Sequence, residues 1–252
     1  MMIRKIRVSA ISYLNTAPFV YGLQHSDIFR NIDITFDYPS ECARKLQQNE
    51  SDIGIIPVAA LLSLPKYDII SDYCIGAVGA VRTVVLMSNS PLEKIKKIYL
   101  DYQSRTSINL VKVLSKHYWK NTPEWLPFTL SQDANSLESH EGIVIIGDRV
   151  FNSENHYKYS IDLAEEWQKY TGLPFVFAVW ASVTPLEQTF IDSFNESLEY
   201  GLKNIPLAID NFELKYIDRN DGINYLNNNI SYNLDKSKME AIDKFLEFVK
   251  EM

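Results

Sequence analysis

The stretch Thr171-Gly-Leu-Pro-Phe-Val-Phe-Ala-Val-Trp180 constrains this chain more than any other. It joins a helix stop to the start of a strand. Gly172 can adopt the left-handed conformation that closes a helix, and Pro174 cannot prolong one. From Phe175 to Trp180 every residue is aromatic, β-branched or small and apolar, which suits a strand covered on both faces. Such a strand belongs in the middle of a core.

Similar punctuation divides the rest of the chain. Ile6 to Ile11 reads as a first strand, and Asn15-Thr-Ala-Pro18 turns from it into a short helix. Ile32 to Tyr38 alternates as a second strand. Pro39 opens a helix with Ser40 as its expected cap. Asp52 to Val58 is a short buried strand ending at Pro57, and a further helix carries Ala59 to Leu64. This β-α-β-α-β-α order predicts a parallel sheet with helices on both faces. Ile69 to Ser88 is rich in strand formers and is interrupted at Gly76 and Gly79. Ile98-Tyr-Leu-Asp101 begins a new α/β unit whose helix is expected from about Thr106 to Trp119. Trp125 to Leu130 and Gly142 to Gly147 read as strands. Asp162-Leu-Ala-Glu165 matches a capping box. Thr184-Pro-Leu-Glu187 reads as a helix start, and Phe190, Phe194, Leu198 and Leu202 then recur every four residues. A last helix begins near Lys236.

No linker separates two domains. The chain is expected to cross from one lobe to another near Ser88–Pro91 and to return near Val179–Ser182. The fold class that follows is α/β and two-lobed. Residues 1–88 and 181–252 would form a discontinuous first lobe and residues 89–180 the second, with a ligand cleft between them.

The 252 residues are 46% hydrophobic, ample for two lobes, and the net charge of −7 disfavours nucleic acid as a partner. No apolar run approaches the ~20 residues that span a bilayer, so no membrane partner is expected. The basic start is followed by the polar residues Ser9, Ser12, Asn15 and Thr16 instead of the apolar stretch of a secretion signal, so a cytoplasmic location is expected. Cys42 and Cys74 are expected to be reduced, buried thiols.

Several strings, in order along nearly the whole chain, are similar to one enzyme family. They are Ser12-Tyr-Leu-Asn-Thr-Ala-Pro-Phe19, Asp52-Ile-Gly-Ile-Ile-Pro-Val58, Cys74 to Ser88, Asp101-Tyr-Gln-Ser-Arg-Thr-Ser107, Ile145-Ile-Gly-Asp148 and Asp162 to Trp180. They resemble the chorismate dehydratases of the futalosine route to menaquinone. The resemblance implies a type-2 periplasmic-binding-protein-like fold with a double crossover hinge. It also implies a hydro-lyase that converts the dianion chorismate to 3-[(1-carboxyvinyl)oxy]benzoate and water, with no metal or other cofactor. The sequence is compatible with that, having no glycine-rich phosphate loop, no Cys/His pair at metal spacing and no H-E-x-x-H string. A homodimer is compatible with the reading. One departure is Thr83, where the family commonly has serine; threonine keeps the hydroxyl and stiffens the side chain.

The resemblance makes Asn15 and Thr83 the candidate catalytic residues. The plain alternatives are a turn asparagine and a half-buried strand threonine. Thr16, Arg82, Ser104, Arg105, Thr106, Ser107 and Asp148 are the candidate substrate-binding residues. Ser104 to Ser107 sit where a strand gives way to a helix, so they read as an anion cradle or as an ordinary helix cap with a solvated arginine. Arg82 could face ligand or solvent. Asp148 ends a strand on the edge that faces the crevice, or caps a helix, and beside a dianion it would be unhelpful unless protonated. Tyr13 and Trp180 could wall an apolar ring or belong to the core. His25, His117, His140 and His156 fall outside the matching strings and read as surface residues, so no general base is evident. The expected mechanism is a stepwise elimination through a carbanion, with the substrate's own enolpyruvyl carboxylate as base. The rivals are a solute-binding protein of the same fold, the sister dihydroxynaphthoate synthase and a sensor domain that binds a small anion.

Overall fold

The computed structural model describes residues 4–101, 104–128, 137–154 and 156–252. Its strands are β1 (Ile6–Ile11), β2 (Ile32–Asp37), β3 (Ile53–Pro57), β4 (Asp68–Ala77), β5 (Val84–Ser88), β6 (Lys97–Asp101), β7 (Glu124–Phe128), β8 (Glu141–Ile146), β9 (Tyr159–Asp162), β10 (Phe175–Ser182) and β11 (Ser231–Asn233). Its α-helices are α1 (Ala17–Gln24), α2 (Pro39–Gln47), α3 (Arg105–Val113), α4 (Arg149–Ser153), α5 (Leu163–Thr171), α6 (Gln188–Lys203), α7 (Ile205–Asp210), α8 (Arg219–Asn228) and α9 (Lys236–Lys250). The strands form two sheets, ordered β11-β4-β10-β3-β1-β2 and β7-β6-β8-β5-β9.

The first sheet begins as the sequence predicts, with β1 parallel to both β2 and β3. It ends as a mixed sheet because β10 returns from the second lobe and runs antiparallel between β3 and β4. All eight residues of β10 are buried, as its unbroken apolar run requires. Gly172 lies at φ +75° and closes α5 ahead of it, while the Asp162 carboxylate caps α5 by accepting from Ala164 N–H and Glu165 N–H.

Strand membership moves the lobe boundaries. Val84–Ser88 pairs with β8 and β9 in the second sheet, and Phe175–Ser182 lies in the first. The chain therefore crosses at 78–83, not at 88–91, and comes back through α5 before residue 175. Apolar strand formers fill both sides of the crossing, which is marked by positive φ at Gly79 (+84°) and Arg82 (+66°). Pro91 is more conspicuous in the sequence, yet it only precedes a 3-10 turn at Leu92–Lys94.

Four local expectations also change. Tyr38, with no side-chain cap, precedes α2, so Ser40 lies inside the helix; Pro39 presets the first turn. Val58–Ser63 is a 3-10 helix. The helix expected to reach Trp119 widens into a π-turn at Leu114–Trp119. Ser182 Oγ donates to Thr184 C=O (2.6 Å) and accepts from Thr184 N–H (3.2 Å), which holds 182–184 as a turn and delays α6 to Gln188. Tyr102, Gln103 and residues 129–130 of the expected strand at Trp125 lie outside the described residues.

One apolar core runs through both lobes, and strand alternation explains how. Val84, Leu86, Val144 and Ile146 join it, while Val85, Met87, Ile143 and Ile145 face the other way and form a small cluster with Val150. The β5–β8 register pairs Val85 with Ile145 and Leu86 with Val144, so each face is continuous across the strands. Against the first sheet, α1 and α6 touch backbone to backbone: a Cβ on Gly201 would lie 1.8 Å from Pro18 C=O. Cys42 and Cys74 are free and buried. No helix among the described residues is long and apolar enough to cross a membrane.

Candidate functional site

Five chain segments meet where the lobes face each other. Ile11, Tyr13 and Asn15 end or follow β1, and Phe177 and Ala178 belong to β10. Val81, Thr83 and Val84 lead into β5, Ser104 and Ser107 open α3, and Ile146 and Gly147 end β8. With neighbouring residues they line a small cavity. Both sheets contribute, and β1 and β8 present their carboxyl ends, the edge where open α/β sheets bind ligands. Gly147, at φ +65°, ends β8 beneath the Tyr13 ring; a Cβ there would come 2.9 Å from that ring. Glycine is thus needed both for the turn and for the approach of one lobe to the other.

Four of the nine candidate residues, Asn15, Thr83, Ser104 and Ser107, line the cavity. Thr83 is 1% exposed, and its Oγ1 lies 2.7 Å from the hydroxyl of Tyr225. Asn15 Oδ1 is buried with no hydrogen-bond partner. The Asn15 backbone is held by its carbonyl, which accepts from Tyr232 O–H at 3.0 Å. Ser104 Oγ caps α3 by accepting from Ser107 N–H at 3.2 Å, and the two hydroxyls lie 3.1 Å apart. The cap and the cradle readings therefore describe the same two residues.

The other five candidates are placed elsewhere. Thr16 Oγ1 donates to the carbonyls of Ile11 and Tyr13, which fixes the turn after β1. Arg105 is exposed on α3. Thr106 is fully buried, and its Oγ1 accepts from Ala59 N–H at 3.1 Å, joining the two lobes. Arg82 has φ +66°, which turns its side chain away from that of Thr83. Its guanidinium donates to Glu154 (2.8 Å) and to Asp221 (2.7 Å) and lies over the Phe151 ring. Asp148 accepts from Leu14 N–H at 3.0 Å, a contact from the end of β8 to the residue beyond β1. Trp180 is fully buried and packs edge-on against Phe19 and Phe194, so it belongs to the core, whereas Tyr13 lines the cavity.

Charge is kept off the cavity wall. Among the described residues that line it, none is acidic, basic or histidine. Arg149 pairs with Asp101 beside the cavity mouth. Burial raises the Asp148 carboxyl to about 6, only partly offset by the Leu14 N–H. Burial also raises the hydroxyls of Tyr13 and Tyr225, which keeps them protonated. His25 and His156 are exposed as expected, but His117 is half-buried against Phe248, which holds its pKa low, and His140 is half-buried near Glu138. Glu138, His140 and Glu141 lie close enough to hold a cation, in the turn ahead of β8 and off the cavity wall.

The family model for menaquinone biosynthesis matches residues 6–251. The chain belongs to this menaquinone biosynthesis family. Within curated proteins, a member from Thermus thermophilus named chorismate dehydratase is 25% identical over 212 residues, covering 75% of each chain. A crystal structure of an Archaeoglobus fulgidus protein matches all of this chain and 98% of its own at TM-score 0.77 and 19% identity. A Candida albicans protein described as having the generic periplasmic binding protein fold matches 98% of this chain and 90% of its own, at TM-score 0.66 and 14% identity. The menaquinone biosynthesis protein thus has the periplasmic-binding-protein fold that its sequence strings imply.

Sequence reasoning missed Tyr225 at this site. It sits on α8 among asparagines, with no motif around it. Only the folded chain brings it to Thr83, 142 residues away.

Proposed function

We propose that this protein removes water from chorismate to give 3-[(1-carboxyvinyl)oxy]benzoate. The observation that carries the reading is the uncharged, hydroxyl-lined cavity between the lobes, in a chain whose curated relative is named chorismate dehydratase. Chorismate is a dianion built on a cyclohexadiene ring. Ile11, Val81 and Phe177 offer an apolar surface to the ring. Ser104, Ser107 and the N-terminus of α3 offer donors to a carboxylate without a buried cation. A hydrogen bond to a charged carboxylate contributes roughly 1.5–3 kcal/mol, so two or three account for affinity near micromolar.

The reaction breaks one ring C–H bond and one neighbouring C–O bond and forms the last double bond of a benzene ring. The proton leaves first, and the charge it leaves behind spreads into the ring carboxylate. The hydroxyl then departs with a proton, so the two groups lost sum to water. Aromatisation supplies the driving force, and neither electron-transfer nor metal chemistry is required. The base in this reading is the enolpyruvyl carboxylate of the substrate, folded over the ring. The uncharged wall favours that assignment, since none of its described side chains is a carboxylate, imidazole or ammonium. Asn15 and Thr83 act at the departing hydroxyl, and the lobes hold the fold of the substrate and keep bulk water out.

The test is to incubate the purified protein with chorismate and a chelator and follow absorbance and mass. The expected result is a product lighter by one water. Intact chorismate bound without turnover would point instead to a ligand-carrying protein of the same fold.

A further inference from the structure

Tyr225 occupies an unusual position for a residue with no part in the sequence motifs. It is fully buried on α8, and its ring stands edge-on to Phe151 with centroids 5.2 Å apart. The helix that carries it is fixed at its start, where Asp218 accepts from Asn220 N–H and Asp221 N–H, and Asp221 grips Arg82 next to Thr83. The Tyr225 hydroxyl is thus held in place from two sides.

That hydroxyl touches the candidate catalytic residue Thr83. It lies 2.7 Å from Thr83 Oγ1. The fully buried phenol carries its own proton, and among the described residues the acceptor within reach is Thr83 Oγ1. Thr83 then has its own O–H left over, with only Val81 C=O at the 3.5 Å limit to receive it. On the same cavity wall, Asn15 Oδ1 is buried and unpartnered. The polarity therefore leaves one free donor and one free acceptor, both on residues of the cavity wall.

We propose that Tyr225 is a positioning residue that sets this polarity, so that the Thr83 O–H and Asn15 Oδ1 together receive one hydroxyl group of the ligand. A hydroxyl is the small group that accepts from one and donates to the other. A carboxylate cannot satisfy Asn15 Oδ1, because both groups are acceptors. The inference deepens the dehydratase reading and rests on it for the identity of the ligand, whose departing group is a hydroxyl. Burial keeps Tyr225 protonated, so the donor is fixed across ordinary pH.

The test uses two chorismate analogues with a saturated ring, which cannot aromatise: one keeps the hydroxyl, the other has hydrogen in its place. Calorimetry on the intact protein should give the hydroxylated analogue an advantage of about tenfold or more. Tyr225→Phe keeps the shape and removes the donor, and it should reduce that preference to about twofold or less. Thr83→Val should do the same from the other side, and the double variant should behave as either single variant does. With chorismate, Tyr225→Phe should lower kcat by about tenfold with a smaller change in KM. Equal binding of both analogues by the parent, no binding of either, or a preference retained in Tyr225→Phe or in Thr83→Val overturns the assignment. If Tyr225→Phe does not fold, Thr83→Val alone decides, because retention of the preference there is enough to reject it. A parent that prefers the hydroxylated analogue yet leaves chorismate intact would refute the dehydratase reading and leave the Tyr225 assignment standing.

Discussion

The cavity wall and the rim around it are built from opposite materials. The wall holds hydroxyls, an amide and apolar side chains, and none of its described residues is charged. The rim holds the ions: Arg82 with Glu154 and Asp221, Arg149 with Asp101, and the Asp148 carboxyl on Leu14 N–H. The division has a physical logic. A buried cation facing the ligand would carry a desolvation cost of several kcal/mol whenever the site stood empty. It would also stabilise the ground state of a dianion as well as the transition state. Neutral donors avoid both. Of these, the Arg82 pairs remain partly hydrated, and the Asp148–Leu14 contact ties the end of β8 to the segment after β1.

If wall and rim are separate in this way, variants should separate too. The largest effect belongs to the wall: Asn15→Ala and Thr83→Ala should each lower chorismate turnover by more than about tenfold, with thermal midpoints within a few degrees of the parent. Near-parental rates in both would take these residues out of the mechanism.

Asp148 comes next and tests the rim through pH. Its carboxyl is raised to about 6 from an ordinary value of 3.8, so the folded state binds the proton more tightly than the unfolded chain. Stability from this group is fully present below about 4 and is lost as pH rises through about 6. Asp148→Asn removes the ionisable group and should gain about 1–3 kcal/mol over the parent at pH 7, with the gain vanishing near pH 4. Denaturant midpoints at the two pH values measure it. A constant difference between variant and parent would show that the carboxyl does not carry this linkage.

The smallest effect is expected at Arg82. Arg82→Gln breaks two partly exposed ion pairs and should cost about 1 kcal/mol of stability, read as a small drop in melting temperature, while kcat stays within about threefold. A collapse of kcat equal to that of Thr83→Ala would mean that the guanidinium acts on the ligand after all.

Much of this arrangement is legible in the sequence where a single residue type forces a local conformation. Gly172 and Asp162 bound α5 as read, and the apolar run of β10 is buried throughout. Asn15, Thr83, Ser104 and Ser107, all within the family strings, line one cavity. What could not be read depends on direction and on distant contacts. Arg82 and Thr83 are adjacent in sequence, yet Arg82 pairs with Glu154 and Asp221 while Thr83 lines the cavity. Asp148 stands one residue beyond Gly147 on the same strand end, and the turn at Gly147 carries it to Leu14 instead of the ligand space. Tyr225 has no local pattern because its partner, Thr83, is 142 residues away and is met only on folding.

The most direct test of the central claim is a crystal structure with 3-[(1-carboxyvinyl)oxy]benzoate, the product the protein would release. The account predicts the aromatic ring between Ile11, Val81 and Phe177, a carboxylate at Ser104 and Ser107, and Asn15 with Thr83 beside the ring carbon that lost its hydroxyl. A ligand seated at the rim among Arg82, Arg149 and Asp148, with the inner cavity empty, would contradict it.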